Sequence, residues 1–305
     1  MTPEPTPSPR PDDGRELVRS SGRLRRRLIF DRAIGWVLLA AFAVVLLPLF
    51  DMIYWVSANA LPTFSWATLT ENQVGTGGGL YPMIQGTLVI IAVATALATG
   101  LGVAAGFYTS EYAPPPIARL ARTAGNLLAG VPAIVLGYFG YFLLVIYTGW
   151  GFTALGGAIT LGIFMTPYVY RTTDVALSSV PTGQREAALA LGARPHQYLG
   201  RVAFRIALPT VLTGVFFAMA LGLGEAAPLY YTAGFNSYPI GNLMSPTGTL
   251  SVAIYQFYEN PPSFGHFLDL AFQAAFLSIV IVLALNVAVQ LLSDRYRRRL
   301  RGLYQ

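Results

Sequence analysis

Six apolar runs set the limits on what this chain can fold into. They fall at 33–56, 83–108, 124–147, 152–170, 207–230 and 269–292. A helix needs about 20 mostly apolar residues to cross the hydrocarbon core of a bilayer. The spacing therefore predicts an all-α integral membrane protein with six transmembrane helices. Composition agrees: 54% of the residues are apolar and 11% are charged, against roughly 25% charged in an average soluble domain. Several runs contain Gly or Pro, which membrane helices tolerate better than soluble ones. Gly137 and Gly140 in the third run, and Gly151, Gly156, Gly157 and Gly162 in the fourth, predict helices that pack closely inside the bundle.

The basic residues orient this six-helix arrangement. All 20 are arginine. With the N-terminus in the cytoplasm, Arg10 to Arg32, Arg119, Arg122, Arg171, Arg185, Arg194, Arg201, Arg205 and Arg295 to Arg301 all fall inside, as the positive-inside rule requires. The external segments 57–82, 148–151 and 231–268 contain no arginine and carry Glu71 and Glu259. A wrong helix count would scatter these charges over both sides. The external stretch 249–258 reads as a short amphipathic helix or a strand within an ordered cap. Five prolines in the first 11 residues and the arginines that follow predict a disordered basic tail over 1–31, because such a segment cannot bury enough apolar surface to order itself.

The absences exclude whole chemistries. Without lysine there is no Walker A lysine and no Schiff base, so the chain cannot hydrolyse ATP through a P-loop of its own. Without cysteine there is no disulfide, thiol nucleophile, iron–sulfur cluster or thiolate zinc site. His196 and His266 are far apart and read as surface residues; neither a metal site nor a cofactor is predicted. The arginines at 295–301 abut a span, so they read as an anchor on anionic lipid and not as a nucleic-acid patch.

The inside segment between runs four and five reads Val180-Pro-Thr-Gly-Gln-Arg-Glu-Ala-Ala-Leu-Ala-Leu-Gly-Ala-Arg194. Thr182 is expected as N-cap, Glu186 in the first turn, and Gly192 as the stop. Ala187, Ala188 and Ala190 keep the helix thin. A short helix of small residues with a sharp end suits a groove on another protein. On physical grounds alone, an ordinary amphipathic loop helix at the membrane surface fits equally well.

Glu186-Ala187-Ala188, three residues, then Gly192 resembles the EAA motif of ABC importer permeases. The motif's second half departs from the pattern, with Val202-Ala-Phe-Arg205 where Ile-x-Leu-Pro is expected. Further stretches are similar to the phosphate-permease branch: Gly78-Gly-Leu-Tyr-Pro-Met-Ile-Gln-Gly-Thr-Leu88, Ser110-Glu-Tyr-Ala113, Asn126-Leu-Leu-Ala-Gly-Val-Pro-Ala-Ile-Val135, Pro167-Tyr-Val-Tyr-Arg-Thr-Thr-Asp174, Gly224-Glu-Ala-Ala-Pro-Leu-Tyr-Tyr-Thr-Ala233 and Leu250-Ser-Val-Ala-Ile-Tyr255. Over residues 78–295 the chain resembles the PstA type of permease. The resemblance implies a type I ABC importer permease fold, with a tail at 1–31, a first anchor and external loop at 32–77, a permease core at 78–295 with its coupling loop at 174–206, and a basic tail at 296–305. It also implies a coupling helix at 181–194 whose contacts include Arg185, Glu186, Ala187, Ala188 and Gly192. The implied partners are a PstC-type permease, two PstB-type ATPase subunits, an external PstS-type phosphate-binding protein, inorganic phosphate and the lipid bilayer.

Two residues are candidates for the substrate pathway. Glu225 is an acid inside the fifth apolar run, where a carboxylate is costly and marks a functional site; its alternative role is a buried acid paired with an arginine or capping a helix break near Gly222, Gly224 and Pro228. Arg171 ends the fourth run, and its planar fork suits an oxyanion; its alternative role is a snorkelling flank. Members of the resembled family often carry an arginine four residues before the acid, where this chain has Leu221. Anion contacts would then come from the partner permease or from backbone and hydroxyl donors. Two other functions stand beside phosphate import: a permease for another oxyanion (sulfate, molybdate or phosphonate), or an intramembrane phosphatase or transferase. The second lacks the convergent acids and histidines such enzymes present.

Overall fold

A computed structural model describes residues 13–74, 77–259 and 266–301. The chain divides into two units, Met1–Trp55 and Val56–Gln305. The first is dominated by one long helix, α1 (Asp13–Ala60), with Pro48 inside it. Its stretch Arg26–Ala60 is long and apolar enough to cross a membrane. The helix begins within the segment that composition predicts as a disordered tail. Nucleation is the costly step of helix formation. Once the apolar stretch is helical, the Arg-, Leu- and Glu-containing sequence before it extends the helix at little cost. Residues 1–12 of that tail lie outside the described residues.

The second unit takes in the last residues of α1 and continues with α2 (Trp66–Thr70) and two short antiparallel strands, β1 (Gln73–Val74) and β2 (Gly77–Gly78), with Gln73 opposite Gly78. α3 (Tyr81–Phe107) continues through a π-helical turn, Tyr108–Tyr112. α4 (Pro115–Ala129) and α5 (Ala133–Gly140) follow, and a π-helical stretch, Tyr141–Tyr147, extends α5. Then come α6 (Ala154–Ser178), α7 (Thr182–Ala190) and α8 (Pro195–Tyr198). A π-helical turn, Leu199–Ala203, joins α8 to α9 (Phe204–Gly224). α10 (Ala227–Thr232), α11 (Leu250–Glu259) and α12 (His266–Arg301) complete the unit. The open choice at 249–258 resolves as helix: Leu250, Ala253 and Phe257 are buried at helical spacing.

Among the described residues, four helices are long and apolar enough to span: Arg26–Ala60, Tyr81–Tyr112, Pro195–Gly224 and Phe267–Ala288. The pair Pro115–Ala129 and Ala133–Tyr147, bent by 93°, makes a fifth if counted as one span. The expected third span is therefore broken. Pro132 supplies no N–H and biases Val131 away from helical geometry, so α4 ends at the residues before it. The fourth apolar run forms α6, a 25-residue helix that falls short of the apolarity test. Most of α6 is buried against other helices, so its side chains meet protein rather than lipid, and Gly, Thr and Tyr replace the Leu and Val that lipid would select. Length and apolarity thus give four or five spans where the sequence reading expects six.

Close approaches fix how the core helices run. A side chain at Gly102 or Gly106 of α3 would collide with Val169 and Tyr170, or with Thr173 and Asp174, of α6. Both numbers rise together, so α3 and α6 are parallel. Gly214 of α9 lies against Thr172, and Gly222 against Met165, so α9 is antiparallel to them. Leu270, Ala271 and Ala274 of α12 share a buried cluster with Leu80 and Met83 at the start of α3. α12 begins at the same end as α3 and packs along α9, so it runs in the direction of α3 and antiparallel to α9. One end of this bundle therefore gathers the end of α3, Arg171 near the end of α6, α7 with Arg185, and the start of α9 with Arg201 and Arg205.

The opposite end is sealed by hydrogen bonds between loops and helix termini. The buried Gln273 of α12 donates to the Thr63 carbonyl at 2.9 Å and accepts from the Thr68 hydroxyl at 3.2 Å. Thr87 of α3 accepts from the Leu250 N–H at the start of α11 at 2.9 Å. The first N–H groups of α6 donate to Ser245 and Leu243 carbonyls, and the Thr153 hydroxyl caps Gly156. Orphan donors at buried helix starts need such partners, so the arginine-free loops form an ordered cap.

Candidate functional site

α7 is the exposed feature of the arginine-bearing end. None of its residues is buried, and Leu191, just past its end, is 89% exposed. Its stop is built as the sequence predicts. Gly192 has φ +81°, the left-handed region that favours glycine. The Ala193 N–H donates to the Ala188 carbonyl at 3.1 Å and the Gly192 N–H to the Leu189 carbonyl at 2.9 Å. Together these make a Schellman ending. The start differs from expectation. Pro181 is the N-cap and Thr182 the first helical residue, because proline's fixed φ suits the position before the first turn and needs no donor of its own. Glu186 is then the fifth helical residue, beyond the first turn.

Half-buried Ala188 packs against the hydrophobic core, and α7 continues into α8; two further links tie it to the bundle. A short connector, residues 179–181, joins it to α6. Arg185 faces Glu111 at 3.6 Å, and Glu111 lies in the π-helical turn that ends α3. The Glu111 side chain is only 12% exposed, which strengthens a pair that would be weak in open solvent. Sequence reading had no means to single out Glu111: the pairing joins residues 74 positions apart (185 minus 111) and follows only from the parallel course of α3 and α6.

Arg171 lines an open cavity of about 560 Å³ with Arg122, Asn126, Tyr170, Asp174 and Ser178. Its side chain has no carboxylate partner among the described residues. Arg122 of α4 donates from Nε and Nη2 to both oxygens of Asp174, at 2.8 and 3.0 Å. Asp174 itself is buried. Gly125 leaves room for the Tyr170 ring against α4, and the Tyr170 hydroxyl approaches that of Thr109 at 3.4 Å. Arg122 and Asp174 escaped sequence reading as site residues because they are 52 positions apart.

Glu225 terminates α9 as its C-cap, and α10 begins two residues later. Its N–H donates to the Gly222 carbonyl at 3.2 Å, and its own carbonyl accepts from the Ser251 hydroxyl at 3.0 Å. The acid therefore sits at a break in the helix, and these bonds are made by its backbone groups. The break opens a cavity of about 250 Å³ lined by Ile134, Ala226, Ala227, Tyr230, Tyr231, Val252 and Tyr255. Ring contacts of 5.5–6.4 Å connect Tyr255, Tyr230, Tyr231, Tyr138 and Tyr141 in one chain. Tyr138, Phe139 and Phe142 are more than half exposed. Beyond the spans, Glu259 raises the Tyr255 phenol above its ordinary range by charge repulsion.

The structure does not bring Arg171 and Glu225 together. With Met165 opposite Gly222, Glu225 lies level with about residue 162 of α6. At 1.5 Å per residue this separates it from Arg171 by about 13 Å along the bundle. Arg171 lines the larger cavity, whereas Glu225 adjoins the smaller one in sequence and is not among its lining residues. Leu221 is half-buried in the hydrophobic core, so no arginine stands near Glu225 on its own helix.

Residues 98–302 match the family model described as "Binding-protein-dependent transport system inner membrane component". The chain is 41% identical over 278 residues to the phosphate transport system permease protein PstA 2 of Mycobacterium bovis, covering 90% of this chain and 91% of that protein. It is 33% identical to the probable phosphate transport system permease protein PstA of Methanocaldococcus jannaschii, covering 87% and 94%. To the PstA protein of Haemophilus influenzae it is 35% identical, covering 77% and 82%. Among solved structures, a chain of a bacterial alginate ABC transporter, in complex with an alginate-bound periplasmic protein, superposes with TM-score 0.61 at 14% identity, covering 90% of this chain and 98% of that one. A chain of the inward-facing MetNI methionine ABC transporter gives TM-score 0.57 at 19% identity, covering 71% and 95%. The fold is that of ABC importer permeases.

Proposed function

The chain belongs to the family of binding-protein-dependent transport system inner membrane components, and from that premise we propose that it is the permease subunit of an ATP-driven importer of inorganic phosphate. It is a multi-pass membrane protein and a transport subunit, not an enzyme. The observation that carries the substrate is the similarity over about nine-tenths of the chain to phosphate permeases. In this reading both termini face the cytoplasm, the membrane is the cytoplasmic one, and α6 serves as a span alongside the more apolar helices. A PstC-type permease completes the pathway, two ATPase subunits supply the energy, and an external binding protein delivers phosphate to the arginine-free cap.

The exposed α7 offers the ATPase a compact handle. Of the expected contacts, Arg185, Glu186 and Ala187 are exposed and form its contact surface, Ala188 turns partly to the core, and Gly192 ends it sharply. A push on α7 passes to α6 through three connecting residues and to α3 through Arg185 and Glu111, while α8 carries it into α9. These are the helices with the closest mutual packing, so they shift together as one body. Such coupled rigid motion is how packed elements convert a local displacement into alternating access. Arg171 receives the anion at the cytoplasmic end, and Glu225 marks the outer break in the pathway. Without an arginine at Leu221, hydroxyl and backbone donors near that break carry the anion.

Proteoliposomes holding the full complex, with ATP on the ATPase side, test this directly. Labelled phosphate uptake should require the binding protein and survive an excess of sulfate. Uptake abolished by sulfate as readily as by unlabelled phosphate would make the chain a permease for another oxyanion.

A further inference from the structure

The cavity beside Arg171 holds two guanidinium groups and one carboxylate. Arg171 is exposed and has no acidic partner among the described residues. Arg122 is held by Asp174 through its Nε and Nη2 atoms, which leaves the Nη1 side of its fork without a partner among the described residues. A guanidinium has two edges able to grip a planar or tetrahedral oxyanion; here Asp174 occupies one edge and fixes the other. Asn126 and Ser178 add neutral donors to the same lining. With both arginines charged and Asp174 ionised, the lining carries a net charge of one, not two.

We propose that this cavity is an oxyanion site and that Asp174 keeps its grip weak. The proposal rests on the reading of Arg171 as a pathway residue and extends it to Arg122 and Asp174. Two free arginines in a half-enclosed site would hold a phosphate group tightly and slow its departure. Pairing one of them with a buried carboxylate orients the fork for brief contact and subtracts one charge. Binding then remains favourable enough to receive the anion and weak enough to release it, which is the requirement for any conducting site. Arg122 and Asp174 are positioning residues here, acting on the anion through charge and orientation. The anion could be transported phosphate or the phosphate group of an anionic lipid, and both present the same chemistry to the cavity.

The test is equilibrium binding to the assembled, nucleotide-free transporter at pH 8, using labelled inorganic phosphate in one arm and phosphatidylglycerol nanodiscs in the other. Asp174→Asn removes the opposing charge and should tighten binding about tenfold, the effect of one unit charge across a site of this size. Arg122→Gln leaves Asp174 free to neutralise Arg171 and should weaken binding by a similar factor. Because Arg122 is half exposed and Asp174 buried, Asp174→Asn is the variant less liable to misfold, since Arg122→Gln strands a buried carboxylate. Arg171→Met should weaken binding in either background. A purely structural ion pair would make both partner substitutions change binding in the same direction, or not at all, and either result overturns the proposal. The predicted order with inorganic phosphate assigns the site to cargo; the same order only with phosphatidylglycerol assigns it to a headgroup. ATP-driven phosphate uptake by the unmodified complex in the same preparation separates failure of this site from failure of the transport function.

Discussion

Only glycine occupies φ +81° without strain, so residue 192 shapes the end of α7 by what it lacks. A non-glycine residue there costs on the order of 1 kcal/mol and loosens the Schellman ending that presents Ala187 and Ala188. Gly192→Asp should insert and assemble normally yet hydrolyse ATP without moving phosphate. The check compares ATPase rate with uptake in one preparation; normal coupling would remove α7 from its assigned role. Arg185→Gln should behave similarly but more mildly. The Glu111 pair has one exposed partner and contributes about 1 kcal/mol or less, so melting should stay nearly unchanged while uptake per ATP falls. Some of this was legible in the sequence: a glycine after an alanine-rich turn announces a helix stop by composition alone. The Pro181 cap was misread, because Thr182 has the better capping side chain and only backbone geometry decides between them. Glu111 and Asp174 were illegible as partners, since ion pairs between distant helices leave no local pattern.

Among the elements, α3 and α6 hold the bundle together through Gly102 and Gly106. In lipid there is little hydrophobic drive between helices, so close backbone contact and dispersion must supply the attraction. An added Cβ at Gly102 would sit 2.8 Å from the Val169 Cβ, and one at Gly106 would sit 2.7 Å from the Thr173 Cβ. Gly106→Leu should therefore force the helices apart and cost about 1–3 kcal/mol. Thermal unfolding of the detergent-solubilised complex should shift down by several degrees, whereas Gly100→Leu, with open space around it, should leave it unchanged. The spacing Gly102-x3-Gly106 was readable in advance, although the glycines of the third and fourth runs drew attention first. The bend at Gly130-Val131-Pro132 was half readable. Pro132 announces a break, but the amphipathic α4 before it blends into the apolar run and disguises two helices as one span. α6 shows the reverse effect: its apolar run was plain, yet its burial relaxes the demand for lipid-facing side chains.

For the whole molecule, the decisive pattern is the absence of arginine from the segments 57–82, 148–151 and 231–268. Within the Val56–Gln305 unit, α3, α6 and α9 place Arg171, Arg185, Arg201 and Arg205 at one end by their parallel and antiparallel courses, and the proposed topology has that end face the cytoplasm. The absence of cysteine makes this easy to probe. Ser237→Cys, in the arginine-free cap, should react with an impermeant maleimide in intact spheroplasts. Gly183→Cys, on α7, should react only after the membrane is opened; labelling of both from outside would invert the topology. Fold class was legible because apolar length and arginine placement are properties of the chain. Phosphate was legible too, in the stretches at 126–135 and 224–233 that resemble phosphate permeases, although Leu221 stands where members of that family often carry an arginine. The measurement that bears most directly on the central claim is ATP hydrolysis by the reconstituted complex, stimulated in turn by phosphate-loaded and sulfate-loaded binding proteins. The account predicts stimulation by the phosphate-loaded protein alone; equal stimulation, or stimulation by sulfate alone, would contradict it.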